Sequence, residues 1–329
     1  MKRRSEKISY HGALAPLQMA CEEAGWAYVD DLMAVKKGRF RKLGIALRHF
    51  GLLKKLRSFR ANQPVLVRDF SNLPLRFIFP FLSHEKRRRL FFVVNHNLQW
   101  ALKEESQKRA FIRLARQGCR FCFFERVPEA LLKDWGIDPT QSIALPHPVG
   151  KTAWTRERKG GVETIGVIGE YRPEKGIDDL LDFLKPLASR YRILLAIPNI
   201  DDFSRDSSHG RASWFDRLDT SSAEAYQQAV AGCDLIVLNH AEKEYLWRAS
   251  GLIADAVSAR VPVLVRNLPV LSAQCLDPVP VGACFRELSE LPEYVEVVSK
   301  GLKEGKYDFS ASQTARSGLE IAHYLEQIF

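Results

Sequence analysis

The chain has 329 residues, 46% of them hydrophobic, and a formal net charge of +10. That length suits two domains, and the apolar share is that of a globular protein with real cores. No run approaches the roughly 18 apolar residues of a membrane span, and Met1-Lys-Arg-Arg has no apolar stretch behind it that would make a signal peptide, so a cytoplasmic protein is expected.

The charge is uneven. Residues 1–150 carry a net +15 and residues 151–329 a net −5, which suggests two domains with different partners. Four of the six cysteines are scattered singly. The pair Cys119 and Cys122 falls within a strand pattern, and no second such pair completes a zinc site. Reduced core thiols are expected, and no metal-ligand spacing is found.

In chain order, Lys7 to Tyr10 reads as a strand, His11-Gly12 as a turn, and Ala13 to Ala24 as a helix ended by Gly25. Trp26 to Asp30 is the next strand. Lys36 to Arg60 then holds ten Lys/Arg and no Asp or Glu, with Phe40, Leu43, Leu47 and Phe50 spaced at three to four. This pattern predicts an amphipathic helix with a cationic face. It suits either a domain helix with solvated charges or a contact with an anionic membrane; Lys37, Phe40, Arg41, Leu47 and Lys55 are the expected contacts. Strands at Val65–Arg68, Leu90–Asn95, Arg120–Phe124 and Ser142–Leu145 follow, separated by helical pattern. This is βα alternation, hence a parallel sheet covered on both faces.

Pro146-His147-Pro148-Val149-Gly150 and the charged stretch to Gly161 mark a boundary. A second alternation begins with a strand at Thr164–Ile168 and a helix at Ile177–Arg190. Strands at Ile193–Ile197, Leu235–Leu238 and Val261–Val265 follow, with helices at Ala223–Ala231 and Leu252–Ala259. Residues 199–221 read as a long polar loop, and Ser310 to Phe329 as a final helix. Ligands of such sheets bind outside the carboxyl ends of the strands, so the loops after Tyr10, Asn95, Ile168 and Leu238 are the places to look.

Two of these loops carry chemistry. After Ile168 the chain reads Gly169-Glu-Tyr-Arg172-Pro-Glu-Lys175-Gly176. Gly169 permits close approach of a ligand to the backbone, and Arg172 and Lys175 at a helix start suit a diphosphate. The P-loop order is absent. Ser250-Gly251 stands where a helix should begin, offering a hydroxyl and N–H groups to an anion, with Asp255 about one turn further on. His96 follows a very apolar strand and, at that strand's carboxyl end, is either a site residue or a histidine that satisfies a loop carbonyl. His11 and Gly12, at the corresponding place in the first unit, and Asn97 are first-loop candidates on the same argument.

In this order, Gly-x-x-Arg-Pro-Glu-Lys-Gly and Ser-Gly-x-x-x-Asp-Ala-x-x-x-x-x-Pro-Val resemble the donor-binding domain of GT-B glycosyltransferases, in particular the large retaining group numbered family four. The resemblance implies an α/β fold of two Rossmann-like, doubly wound domains facing a cleft. They would be an acceptor-side domain (1–150) and a nucleotide-sugar domain (151–309), with a crossover helix (310–329) returning to the first domain. It implies transfer of a sugar from a nucleotide-diphosphate sugar to a glycan or lipid-linked acceptor, with retention and without metal or other cofactor. Bacterial surface polysaccharide synthesis at the inner face of the plasma membrane is the expected setting. Arg172 and Lys175 would hold the diphosphate, with Gly169 beside them. Ser250 and Gly251 would cradle phosphate, and Asp255 would bind the ribose. Asn199 would lie near the base, Glu244 and Arg248 would line the donor site, and His96 would touch the sugar.

The sequence also departs from the pattern. Trp247 stands where the first of two paired acids is usual, Arg260-Val261 replaces the glycine before Pro262, and Glu170 displaces the first arginine of the diphosphate motif. A non-catalytic nucleotide-sugar or partner-binding module is the alternative these changes suggest. No RNA-recognition motif accompanies the basic charge, so nucleic acid is not an expected partner.

Overall fold

The computed structural model describes residues 15–29, 41–60, 62–150, 152, 154 and 160–328, save the side chains of 15, 41–43, 46 and 202. The expected first strand, His11, Gly12, Lys37 and Phe40 lie outside these residues, as does the side chain of Arg41. Two compact units form. One comprises 17–147 with 247–249 and 318–329, and the other 148–246 with 250–317.

In the first unit, β1 (Ala27–Val29), β2 (Val65–Val67), β3 (Leu90–Val93), β4 (Arg120–Phe124) and β5 (Ser142–Leu145) form a parallel sheet in chain order. The two-residue repeat of strands sorts their side chains onto two faces. Phe92, Phe121 and Phe123 join one core with Phe111 and Leu114, whereas Phe91, Val93 and Cys122 join another with Leu17 and Ala20. This second core is completed by Ile321, Ala322 and Leu325 from the helix Gly318–Glu326. Cys119 and Cys122 are buried free thiols, and burial pushes both well up.

The basic segment is helical over Arg41–Ser58, but the buried stripe is not the one the spacing suggested. His49, Leu52, Leu53 and Leu56, at i, i+3, i+4 and i+7, face the core. Leu47 and Phe50 remain 62% and 60% exposed. The helix thus carries two apolar stripes, and the sheet takes the one with the longer aliphatic run. His49 is fixed as the Nδ1–H tautomer: it donates to Ile45 O (2.7 Å) and accepts from Ser71 N–H (3.1 Å).

The second unit holds β6 (Thr164–Ile168), β7 (Arg192–Ile197), β8 (Asp216–Asp219), β9 (Leu235–Leu238), β10 (Val263–Arg266) and β11 (Gly282–Phe285). They form a parallel sheet ordered β11-β10-β9-β6-β7-β8. Residues 199–221 are not the long loop expected. They form the helix Ile200–Asp206 and the edge strand β8. The cause lies in a few residues of a polar stretch. Phe203 and Phe215 are buried, and Arg217 gathers the carbonyls of Gly210 and Ala212 (both 2.7 Å) while lying 5.2 Å from the Phe215 ring. The expected helix from Ile177 ends as an α-helix at Leu184 and tightens to a 3-10 turn, Lys185–Ser189, around Pro186.

The C-terminal pattern is also broken, into Phe309–Ala315 and Gly318–Glu326. Between them Arg316 is 2% exposed and donates to the carbonyls of Gln274 (3.1 Å) and Asp277 (2.7 Å). Within this sheet the chain leaves β6 for β7 on one side and returns to β9 on the other. The carboxyl ends of β6 and β9 therefore flank the topological switch point, where a crevice for a ligand is built by the winding itself.

Candidate functional site

The loop from Gly169 to Gly176 starts at the carboxyl end of β6. Gly169 has φ 120° and donates its N–H to Ala196 O on β7 (3.0 Å). A side chain at Gly169 would be strained there, and its Cβ would lie 3.9 Å from Lys175 Nζ. The loop tightens into a 3-10 turn, Pro173–Lys175, and reaches the helix Ile177–Leu184 through Gly176, whose φ is 55°. Residues after β9 pin this turn: Ala241 N–H donates to Glu174 O (2.9 Å), and Asn239 Nδ2 to Gly176 O (3.2 Å). Tyr171 donates to Asp178 (2.5 Å), which also accepts from Ser207 Oγ. Asp178 is therefore a support for the loop rather than a solvated charge.

Lys175 and Arg172, read from sequence as equivalent cations, are held differently. Arg172 is 40% exposed and paired within its own loop with Glu170 (3.1 Å) and Glu174 (3.3 Å). Lys175 Nζ lies 3.5 Å from His240 Nε2 and 5.5 Å from the centre of the Tyr245 ring. His240 follows β9, is 2% exposed, and packs its ring 3.9 Å from that of Tyr245. The same Nε2 lies 3.3 Å from Ser250 Oγ.

Ser250 precedes the helix Gly251–Ser258, as expected, but its hydroxyl points inward to His240 and makes no cap. Its backbone is clamped by the buried Gln274: Ser250 N–H donates to Oε1 (2.8 Å), and Nε2 donates to Ser250 O (3.0 Å). Gly251 is exposed, and a Cβ there would meet nothing within 4 Å, so the helix tip is open to an approaching group. Further along the helix, Asp255 is partly buried and accepts from the Tyr226 phenol (2.7 Å). Burial pushes the Asp255 carboxyl up to about 6, against the lowering effect of the Tyr226 bond.

The tips of β6 and β9 and the start of one helix thus converge on a cation, an imidazole and a hydroxyl. Sequence reasoning picked Lys175, Ser250, Gly251 and Asp255. It gave no role to His240, Tyr245, Gln274 or Tyr226. A usable signal for His240 was present, since it follows a fully apolar strand just as His96 does.

No protein-family model matches the chain, and no curated protein matches it in sequence. Solved structures do resemble it. HepE of Anabaena, in complex with UDP, superposes with a TM-score of 0.65 at 14% identity, covering 96% of this chain and 94% of that one. Sucrose-phosphate synthase of Thermosynechococcus elongatus gives 0.63 at 12% identity over 95% and 90%. TarM of S. aureus gives 0.60 at 12% identity over 86% of this chain, which spans only 58% of TarM. The fold is that of GT-B glycosyltransferases.

With that fold in view, the remaining expected residues can be located. Asn199 follows β7 at the N-cap position of the helix Ile200–Asp206, with φ 56°, and its N–H donates to Ser221 Oγ (3.2 Å). Glu244 sits half-buried in the short helix Glu242–Tyr245. Arg248 falls with Trp247 and Ala249 in the other unit. Trp247 is partly buried and packs against the apolar core of that unit.

His96 is exposed at the start of the helix Asn97–Lys103 and stacks on Trp100 at 5.9 Å. Asn97 turns inward instead of toward a ligand. It is 3% exposed and donates to Phe70 O (2.8 Å) and Asn72 Oδ1 (3.3 Å). The loop role foreseen for Asn97 is therefore occupied by a buried amide network that anchors the loop beneath His96. Among the described residues no group of His, Cys, Asp and Glu could hold a metal ion, and no helix is long and apolar enough to cross a membrane.

Proposed function

We propose that the chain is a glycosyltransferase that binds a nucleotide-diphosphate sugar at the tips of β6 and β9 and transfers the sugar to a glycan or lipid-linked acceptor. The observation that carries this reading is the convergence of Lys175, Ser250 and the open tip of the helix Gly251–Ser258 at the sheet's switch point. Lys175 and the first N–H groups of that helix would stabilise the charge that develops as the diphosphate leaves. Gly169 keeps the approach to Lys175 open. Asp255 has Oδ1 as an acceptor for a ribose hydroxyl while Oδ2 is held by Tyr226. Arg172 would reach the outer phosphate by exchanging Glu170 and Glu174 for it; exposed pairs of this kind cost little to break, about 1 kcal/mol or less. The leaving phosphate would take the acceptor proton, which gives retention without a metal or a protein base.

The test is a panel of UDP-, GDP- and ADP-sugars, read by thermal shift and by hydrolysis with and without acceptor extracts. A shift with one nucleotide series and release of its diphosphate are expected. Binding without turnover under every condition would favour the non-catalytic module that Trp247 raises as the second reading.

The basic helix supports a lipid-linked acceptor at an anionic membrane. Its core-facing stripe is satisfied by His49, Leu52, Leu53 and Leu56, yet Leu47 and Phe50 stand exposed among Arg48, Lys54 and Lys55. Phe81, 63% exposed, adjoins the helix, since Arg57 Nη2 donates to its carbonyl (3.0 Å). Apolar anchors ringed by cations suit the interface, where each basic residue near an anionic surface is worth about 1 kcal/mol. Combining Leu47→Asp, Phe50→Asp and Lys55→Glu should lower binding to phosphatidylglycerol vesicles by about tenfold or more while nucleotide affinity stays unchanged. Sedimentation with such vesicles decides it, and undiminished binding would reduce the helix to a scaffold.

A further inference from the structure

We propose that His240 is a positioning residue of the donor site: a neutral imidazole whose Nε2 orients Lys175 toward the diphosphate and holds the Ser250 hydroxyl off the helix tip. This rests on the donor-binding reading above and assigns it a residue outside the two sequence motifs.

The protonation of His240 follows from its neighbours. An ammonium can only donate, so the contact between Lys175 Nζ and His240 Nε2 (3.5 Å) requires a lone pair on Nε2. The Ser250 hydroxyl, 3.3 Å from the same nitrogen, is then a second donor to it. The ring is consequently the Nδ1–H tautomer, with one acceptor shared by the two groups on either side of the site. The ring is also held fast, being 2% exposed and packed 3.9 Å from Tyr245, over which Lys175 also lies.

A neutral acceptor has a consequence that a carboxylate would not. Arg172 shows the contrast, since Glu170 and Glu174 both orient and neutralise it. An imidazole nitrogen orients Lys175 and leaves its positive charge undiminished for an incoming anion. It also draws the Ser250 hydroxyl away from the cap position, so the side chain that usually satisfies the first N–H groups of such a helix does not compete with phosphate for them. Cation and helix tip are thereby set for one anionic ligand before it arrives.

Three substitutions separate this role from simple packing. His240→Gln keeps a neutral acceptor near the Nε2 position and loses the ring. His240→Phe keeps the ring against Tyr245 and loses the acceptor. His240→Glu replaces the neutral acceptor by an anion. Isothermal titration with the nucleoside diphosphate that binds the wild type should give Gln within about threefold of wild type and both Phe and Glu at least tenfold weaker, with melting temperatures reported alongside. Wild-type affinity in the Phe variant, or in the Glu variant, would overturn the positioning role and leave the donor-site reading standing. No affinity of the wild type for UDP, GDP or ADP would overturn that reading and this inference with it. Should the Phe variant fail to fold, the Gln and Glu variants still give opposite outcomes.

Discussion

Lys175→Ala is expected to lower turnover of the donor sugar by about 100-fold or more while leaving the melting temperature within a few degrees of wild type. Lys175 lies beside Gly169, against the Tyr245 face and within reach of His240, at the point where the strand tips and the helix start meet. A charge-assisted contact that strengthens as a diphosphate leaves is worth about 3 kcal/mol or more in a preorganised site, and each 1.4 kcal/mol is a factor of about ten. Little of the fold depends on this side chain, because the loop is pinned by Asn239 and Ala241 rather than by Lys175. Arg172→Ala provides the internal comparison. Its guanidinium is already engaged by two carboxylates, so the loss should be about tenfold or less. Steady-state kinetics on both variants measures the difference, and equal losses would mean that the two cations act as one clamp.

The distinction between these two cations marks the limit of what the sequence allowed. Arg172 and Lys175 are three residues apart in a loop, and nothing in that spacing tells which one a glutamate will hold. The strands were legible because parallel strands covered on both faces are continuous apolar runs. Thr164–Ile168, Leu235–Leu238 and Arg120–Phe124 have the bounds that their composition predicts. The stretch 199–221 was not legible, because Phe203, Phe215 and Arg217 organise a mostly polar segment only once the neighbouring sheet exists. The basic helix was legible as a helix but not in its orientation, since two apolar stripes competed and tertiary packing chose between them.

The proposed donor site follows the same division. Residues on the chain's two motifs, Ser250, Gly251, Asp255 and Lys175, could be named from order and spacing. Residues that support them from a distance, His240, Gln274 and Tyr226, could not, because a supporting role is defined by a partner far away in sequence. Trp247 was visible as an anomaly in the sequence; that its ring packs against the apolar core of the first unit was not.

Asp255 carries the second large effect, and it concerns stability as well as binding. Its carboxyl is raised from an ordinary 3.8 to about 6, chiefly by burial. Between those two values the folded protein holds a proton that the unfolded chain releases, so stability is greatest below about pH 4 for this group and declines as pH rises toward 6. Above pH 6 the full cost of the buried charge is present. At about 1.4 kcal/mol for each unit between the two values, that cost is of order 1–3 kcal/mol. Asp255→Asn removes the charge and can still accept the Tyr226 hydrogen bond, so the variant should be more stable than wild type at pH 8 by about that amount and should lose the decline between pH 4 and 6. A ribose hydroxyl, however, donates better to a carboxylate than to an amide. The same variant should therefore bind the nucleoside diphosphate about tenfold more weakly, the difference between charged and neutral hydrogen bonds. Chemical denaturation across pH 4–8, paired with calorimetric titration at pH 8, measures both. A gain in stability with a loss of affinity is what a binding group held at the expense of the fold produces. A variant less stable than wild type at pH 8 would instead make Asp255 a structural partner of Tyr226.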